Sequence, residues 1–274
     1  MNRIDRIFQD LRARGARALM PFTVAGDPDL ATTAELLPAL EKAGASVVEL
    51  GIAFSDPIAD GPVIQSAMSD VLDQGVRVGQ VLEMVAEVRP KVDLGLVAMV
   101  SYSIVHRRGG KAFVREAAEA GIDGFIFPDL PLEEADAIAD DVAEAGLIMS
   151  MLIAPGTPIE RAKRIARRSS GFAYVIARAG ITGERSELPP DLPDRLRQLR
   201  EATDLPLAVG FGISGPEHVR EVVKVADAAI VGSALVRRIG EHREQGRQAV
   251  VDAAAGMTRE LASGLTQAAS VPEA

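Results

Sequence analysis

The sequence of 274 residues contains no cysteine and no tryptophan. Without cysteine there is no disulfide framework, no thiolate nucleophile and no Cys-ligated zinc. With no tryptophan and only two tyrosines, stacking of nucleobases on aromatic platforms is not expected as the main activity. No apolar run approaches the roughly 18 residues of a membrane span. The N-terminus lacks the apolar core of a secretory signal. Strong basic clusters are also missing. Arg107-Arg108 and Arg167-Arg168 are short, suit a solvated surface, and stand in a chain of net charge −9, so no nucleic-acid partner is expected. His106 and His218 have no spacing that would make a metal site. The expectation is a soluble cytoplasmic protein.

What is present is an ordinary globular balance, 47% hydrophobic and 25% charged. Eight apolar runs read as strands: 18–24, 47–52, 94–101, 124–127, 147–153, 172–177, 205–210 and 228–231. They are nearly continuous in apolar residues rather than alternating, as parallel strands covered on both faces are. Helical segments separate them. Leu36, Leu37 and Leu40 share a face, as do Val81, Val85 and Val88, and Val219, Val222 and Val223. Ala43-Gly44, Ala120-Gly121 and Ala145-Gly146 each end a helix just before a strand, where glycine supplies the left-handed cap residue. Eight βα units predict a single-domain (β/α)8 TIM barrel over 1–274. A doubly wound sheet is the competitor, but the first strand is followed by Ala25-Gly26-Asp27-Pro28 and not by G-x-G-x-x-G. Ile4, Ile7, Phe8 and Leu11 fall at helical spacing and predict an extra N-terminal helix covering the N-terminal face of the barrel. The tail after about Ser263 is expected to fray.

The segment V-V-E-L-G-I-A-F-S-D-P-I-A-D-G-P, 47–62, carries the strongest chemical signal. Glu49 sits within an apolar strand, where an isolated carboxylate must be paired, protonated or used. Glu49 shares a strand face with Val47 and Gly51, so it points either into the barrel or outward against helices. Asp60 follows on a Gly/Pro-rich loop. A carboxylate on a strand and another on the next loop suit proton transfer. Alternatively, Glu49 pairs with a distant cation, and Asp56 and Asp60 shape turns.

A second cluster is rich in glycine. Gly180 and Gly183 follow the sixth predicted strand; Gly210, Gly212 and Gly215 follow the seventh; Gly232-Ser233 follows the eighth. Exposed backbone N–H groups at such loops and helix starts bind phosphate, and barrels place this site after their last strands. Singly, each glycine reads as a turn. The polar run 183–190 has the make-up of a mobile lid or of a plain surface loop. Met149 and Met151, on the fifth strand, read as core.

Together these residues resemble the tryptophan synthase α subunit family. The likeness rests on Pro21-Phe22 with Gly26-Asp27-Pro28-Asp29, and on Glu49-Leu50-Gly51 with Phe54-Ser55-Asp56-Pro57 and Ala59-Asp60-Gly61-Pro62. It continues through Pro128-Asp129-Leu130-Pro131, Ala154-Pro155, Arg178–Gly183, Gly210–Ser214 and Gly232-Ser233-Ala234. The resemblance implies a (β/α)8 barrel that cleaves indole-3-glycerol phosphate into indole and glyceraldehyde 3-phosphate without metal or organic cofactor. It implies Glu49 as acid/base and Asp60 facing the indole N–H. It places Phe22, Ile64, Val100 and Tyr174 around the indole ring and includes Thr182 among the substrate-binding residues. The phosphate falls to Gly183, Gly210, Phe211, Gly212, Gly232 and Ser233. It further implies a β-subunit partner in an α2β2 tetramer. An alternative is a catalytically weak barrel acting mainly as an activating partner. Ala53, Ser103, Gly156 and Ala177 depart from the family's usual residues. Ala53 and Ser103 fall on loops where the family meets its β-subunit.

Overall fold

The structure is a computed structural model, and the residues described are 1–57, 60–177, 189–210 and 212–267. Among them are nine parallel strands: β1 (Ala18–Val24), β2 (Val47–Gly51), β3 (Gly95–Met99), β4 (Gly124–Ile126), β5 (Ile148–Ser150), β6 (Leu152–Ile153), β7 (Ala173–Ile176), β8 (Leu207–Gly210) and β9 (Ala228–Val231). The sheet order is β5-β4-β3-β2-β1-β9-β8-β7-β6. Its two ends, β5 and β6, are consecutive pieces of one extended run separated by Met151, so the order closes on itself as a barrel of eight staves. The fifth predicted strand, 147–153, is therefore broken in two. The apolar sequence carries no mark of the break, because β5 pairs with β4 while β6 pairs with β7 and each half answers to a different neighbour.

Two cores follow from strand alternation. One face of the strands, with Leu19, Val48, Leu50, Leu96, Phe125 and Val209, packs under the helices. The other fills the barrel with Met20, Val47, Val97, Ile126, Ile148, Ala208 and Ile230. The N-terminal helix Arg3–Ala13, capped by the Asn2 side chain accepting from Ile4 N–H, inserts Ile4 and Phe8 into that interior cluster. Burying two such side chains contributes about 1.5–3 kcal/mol each. This closes the N-terminal end of the barrel and leaves the C-terminal end for chemistry.

Gly44, Gly121 and Gly146 hold φ of 108°, 97° and 72° at the helix-to-strand junctions, a region closed to most side chains. Of the tail expected to fray after about Ser263, residues 268–274 lie outside the described residues. Residues Ser263–Gln267 form a short 3₁₀ turn, and Leu265 packs on the outer core. Gly264 fits because a Cβ there would lie 2.2 Å from the Pro216 carbonyl oxygen. The small residues that suggested disorder are the ones that permit this close approach.

Candidate active site

Glu49 resolves inward. It pairs in register with Phe22 of β1 and Val97 of β3, and it shares its strand face with Val47, a member of the interior cluster. It is 0% exposed, and neither carboxylate oxygen finds a hydrogen-bond partner among the described residues. Burial without compensation disfavours the charged form. It pushes the Glu49 carboxyl up to about 8. At neutral pH the group is a carboxylic acid carrying a transferable proton.

Asp60 precedes the helix Pro62–Asp73, with Gly61 as its N-cap. Its N–H donates to the Pro57 carbonyl at 3.1 Å. Gln65, within the first turns of that helix, donates its side-chain amide to the Asp60 and Pro57 carbonyls at 2.8 and 3.2 Å. Burial raises the Asp60 carboxyl to about 6. Tyr174 on β7 lies within the electrostatic reach of both acids. Desolvation first, then the charges of Glu49 and Asp60, hold its hydroxyl well above the usual range. Two carboxyls whose environments separate their affinities for a proton can divide acid and base roles.

An apolar wall accompanies them. Phe22 and Ile64 pack together with Val24, Ala67, Met68, Val71 and Val236, and Ala53 and Met99 lie against this cluster. Gly51 is required by that wall, because a Cβ there would meet the Phe22 ring at 2.6 Å. Val100, one residue beyond β3, is buried but packs with the outer core rather than with Phe22 and Ile64. Gly210 gives room to Tyr174, whose hydroxyl would be 3.2 Å from an added Cβ.

Gly232 is the N-cap of the helix Ser233–His242, and a Cβ on it would lie 3.8 Å from Ile64 Cδ1. The first N–H groups of a helix have no intrahelical acceptor. Ser233 is buried there with its hydroxyl unpartnered among the described residues. Gly212 holds φ of 67°. Thr182, Gly183, Phe211 and the expected lid lie outside the described residues.

Other motif residues have structural roles. Asp29 caps the helix Leu30–Lys42, accepting from the Thr32 N–H at 2.7 Å and hydroxyl at 2.8 Å. Asp129 accepts from the Ser101 hydroxyl at 2.6 Å and the Tyr102 N–H at 2.7 Å, bracing the loop after β3. Sequence reasoning missed Ser150, whose buried hydroxyl has no described partner, and Gln65. Ser150 sits in a run that reads as plain core. Gln65 could have been found from its place one turn inside a helix that starts at Gly61-Pro62.

The fold and the site define a class, a (β/α)8 barrel with two carboxyls raised by burial, Glu49 within β2 and Asp60 on the loop that follows it. The family model described as tryptophan synthase alpha chain matches residues 8–266. The tryptophan synthase alpha chain of Rippkaea orientalis is 45% identical over 252 residues, covering 91% of this chain and 94% of that one. The alpha chain of Prochlorococcus marinus is 48% identical, with 86% of each chain covered. Among solved structures, tryptophan synthase subunit alpha from Legionella pneumophila superposes with a TM-score of 0.87 at 35% identity, covering 97% of this chain and 98% of that one. This chain belongs to the tryptophan synthase alpha chain family.

Proposed function

We infer that the chain cleaves indole-3-glycerol phosphate to indole and glyceraldehyde 3-phosphate, the alpha reaction of L-tryptophan biosynthesis. The observation that carries this reading is Glu49, an inward carboxyl within β2, fully buried with neither oxygen partnered among the described residues. The reaction is a retro-aldol cleavage. Protonation of indole C3 makes the ring a leaving group. Loss of the proton from the adjacent glycerol hydroxyl forms the aldehyde C=O, and the electrons of the breaking C–C bond return to the ring. Glu49 delivers the first proton and, once ionised, accepts the second, so it finishes as it began. General acid–base catalysis of this kind contributes typically about 100- to 10,000-fold. Asp60, ionised above about pH 6, faces the indole N–H and stabilises positive charge developing on that nitrogen.

Phe22, Ile64 and Tyr174 form the apolar seat for the indole ring, with Val100 and Thr182 as further substrate contacts. The phosphate sits on the N-terminus of the Ser233–His242 helix, where Gly232 keeps the approach open and the Ser233 hydroxyl, without a partner among the described residues, donates. Gly183, Gly210, Phe211 and Gly212 complete that cradle. The chain works in the cytoplasm with a tryptophan synthase β-subunit as an α2β2 tetramer. Among the described residues no helix is long and apolar enough to cross a membrane. The direct test is indole release from indole-3-glycerol phosphate by the isolated chain, repeated with a β-subunit present. Absence of indole under both conditions would overturn the reading.

A further inference from the structure

Arg243, just beyond the helix Ser233–His242, spans two carboxylates on different elements. Its Nη2 lies 3.0 Å from Asp27 Oδ1 and its Nη1 lies 2.5 Å from Asp70 Oδ2. Asp27 stands in the turn that leaves β1, its N–H donating to the Val24 carbonyl at 3.2 Å. It is 1% exposed, and its second oxygen has no described partner. Asp70 lies near the end of the helix Pro62–Asp73. That helix begins directly after Asp60-Gly61, supplies Ile64, and holds the Asp60 carbonyl through Gln65. The three elements that carry Phe22, Asp60 and Ser233 therefore meet at one guanidinium.

Apolar packing joins the two helices on one side, through Ile64, Ala67 and Met68 against Val236. On the other side an open groove of about 500 Å³ runs between Val63 and Ala67 of one helix and Val236 and Gly240 of the other, and there Arg243 is the link. The Asp27 charge is costly to bury, and Arg243 is the cation beside it, so the pair persists where an exposed ion pair would exchange with water. Arg243 opposes the effect of burial on the Asp27 carboxyl, which still rises to about 6.

We propose that Arg243 is a positioning residue for the alpha reaction, holding the Pro62–Asp73 helix, and with it Asp60, in place against β1 and the Ser233–His242 helix. The proposal rests on the role given above to Asp60. Asp70→Ala cuts the tie to the helix without leaving a buried charge, and Arg243→Leu with Asp27→Asn removes the whole clamp while keeping the buried site neutral. For both variants we expect kcat for indole release to fall about threefold to tenfold, since small displacements remote from the reacting atoms are costly. KM should stay within about twofold of wild type, because Asp60 acts on charge that develops in the transition state. Asp70→Glu should restore at least half of kcat. Amide hydrogen exchange across 62–73 should quicken in both variants. A tie serving stability alone would lower the thermal midpoint and leave kcat, KM and rescue unmoved; that result overturns the proposal. Should the wild-type chain release no indole, the functional reading fails, and exchange across 62–73 still decides the clamp: unchanged exchange overturns it.

Discussion

Asp123 and Glu49 are both carboxyls set in the barrel wall, Asp123 just before β4 and Glu49 at the middle of β2. Asp123 precedes β4 at the N-terminal end. It accepts from Arg89 Nη1 at 3.1 Å, Arg3 Nε at 3.3 Å and the Leu96 N–H at 2.8 Å. Burial raises its pKa, but the backbone bond and both arginines work against that rise. Asp227, before β9, repeats the arrangement, taking Arg200 and the Leu207 N–H at 2.8 Å. Glu49, within β2, has burial alone acting on it. The difference separates holding from reacting. A satisfied carboxylate fastens strands together, whereas an unsatisfied one keeps a proton that a substrate can receive.

The largest effect should come from removing that proton. Glu49→Gln keeps the volume and cannot transfer it, so indole release should fall by about 100- to 10,000-fold, with an unchanged circular dichroism spectrum. Turnover near wild type would remove Glu49 from the acid/base role. The same variant should be more stable than wild type at high pH. Folded Glu49 holds its proton up to about 8, whereas the unfolded chain loses it near 4.5. The folded state therefore binds the extra proton between these values, and Glu49 lowers stability progressively as pH rises through that window. Thermal melts of both proteins at pH 5 and pH 9 should diverge only at the higher pH.

Asp123→Ala should show the opposite profile. Leaving Arg89 without its carboxylate should cost about 3 kcal/mol of stability, measured by urea denaturation. The kcat per folded molecule should stay at the wild-type value. A matching loss of kcat would erase the division between the two carboxyls.

At the glycine cluster, Gly212→Val places a β-branched residue at φ of 67° and crowds the phosphate approach. KM for indole-3-glycerol phosphate should rise about tenfold, in line with the loss of a charge-assisted hydrogen bond. Competition by inorganic phosphate should weaken in parallel. An unchanged KM together with no competition would put the phosphate elsewhere. The smallest effect is expected at Ala53, which lies against the Phe22 and Ile64 cluster. Proline there fixes φ and stiffens the loop leading to Asp60. Ala53→Pro should raise basal activity modestly and shrink activation by a β-subunit. An unchanged activation ratio would mean that residue 53 does not tune the loop.

Much of the N-terminal end and most of the strand order were legible because they depend on local patterns. β1 and β9 match their predicted apolar runs residue for residue, and the glycine-ended junctions fall where the left-handed cap demands. Phe8 and Ile4 declare their face through helical spacing alone. Glu49 announced itself by being charged in an apolar run. Its inward direction was not legible, because a period of two fixes which residues share a face but not which face is inside. The Arg243–Asp27 pair was invisible, since it joins residues 216 positions apart. The break at Met151 and the packing of Gly264 likewise depend on neighbours that only the closed barrel supplies.

The central claim is that burial keeps Glu49 protonated at neutral pH. Its most direct test is a carboxyl ¹³C titration of the intact chain from pH 4 to 9.5, with the Glu49 resonance assigned by its absence in Glu49→Gln. A midpoint near 8 is expected, with a decline of kcat/KM for indole release along the same limb. A midpoint near the ordinary 4.5, with Glu49 ionised throughout the working range, would contradict it.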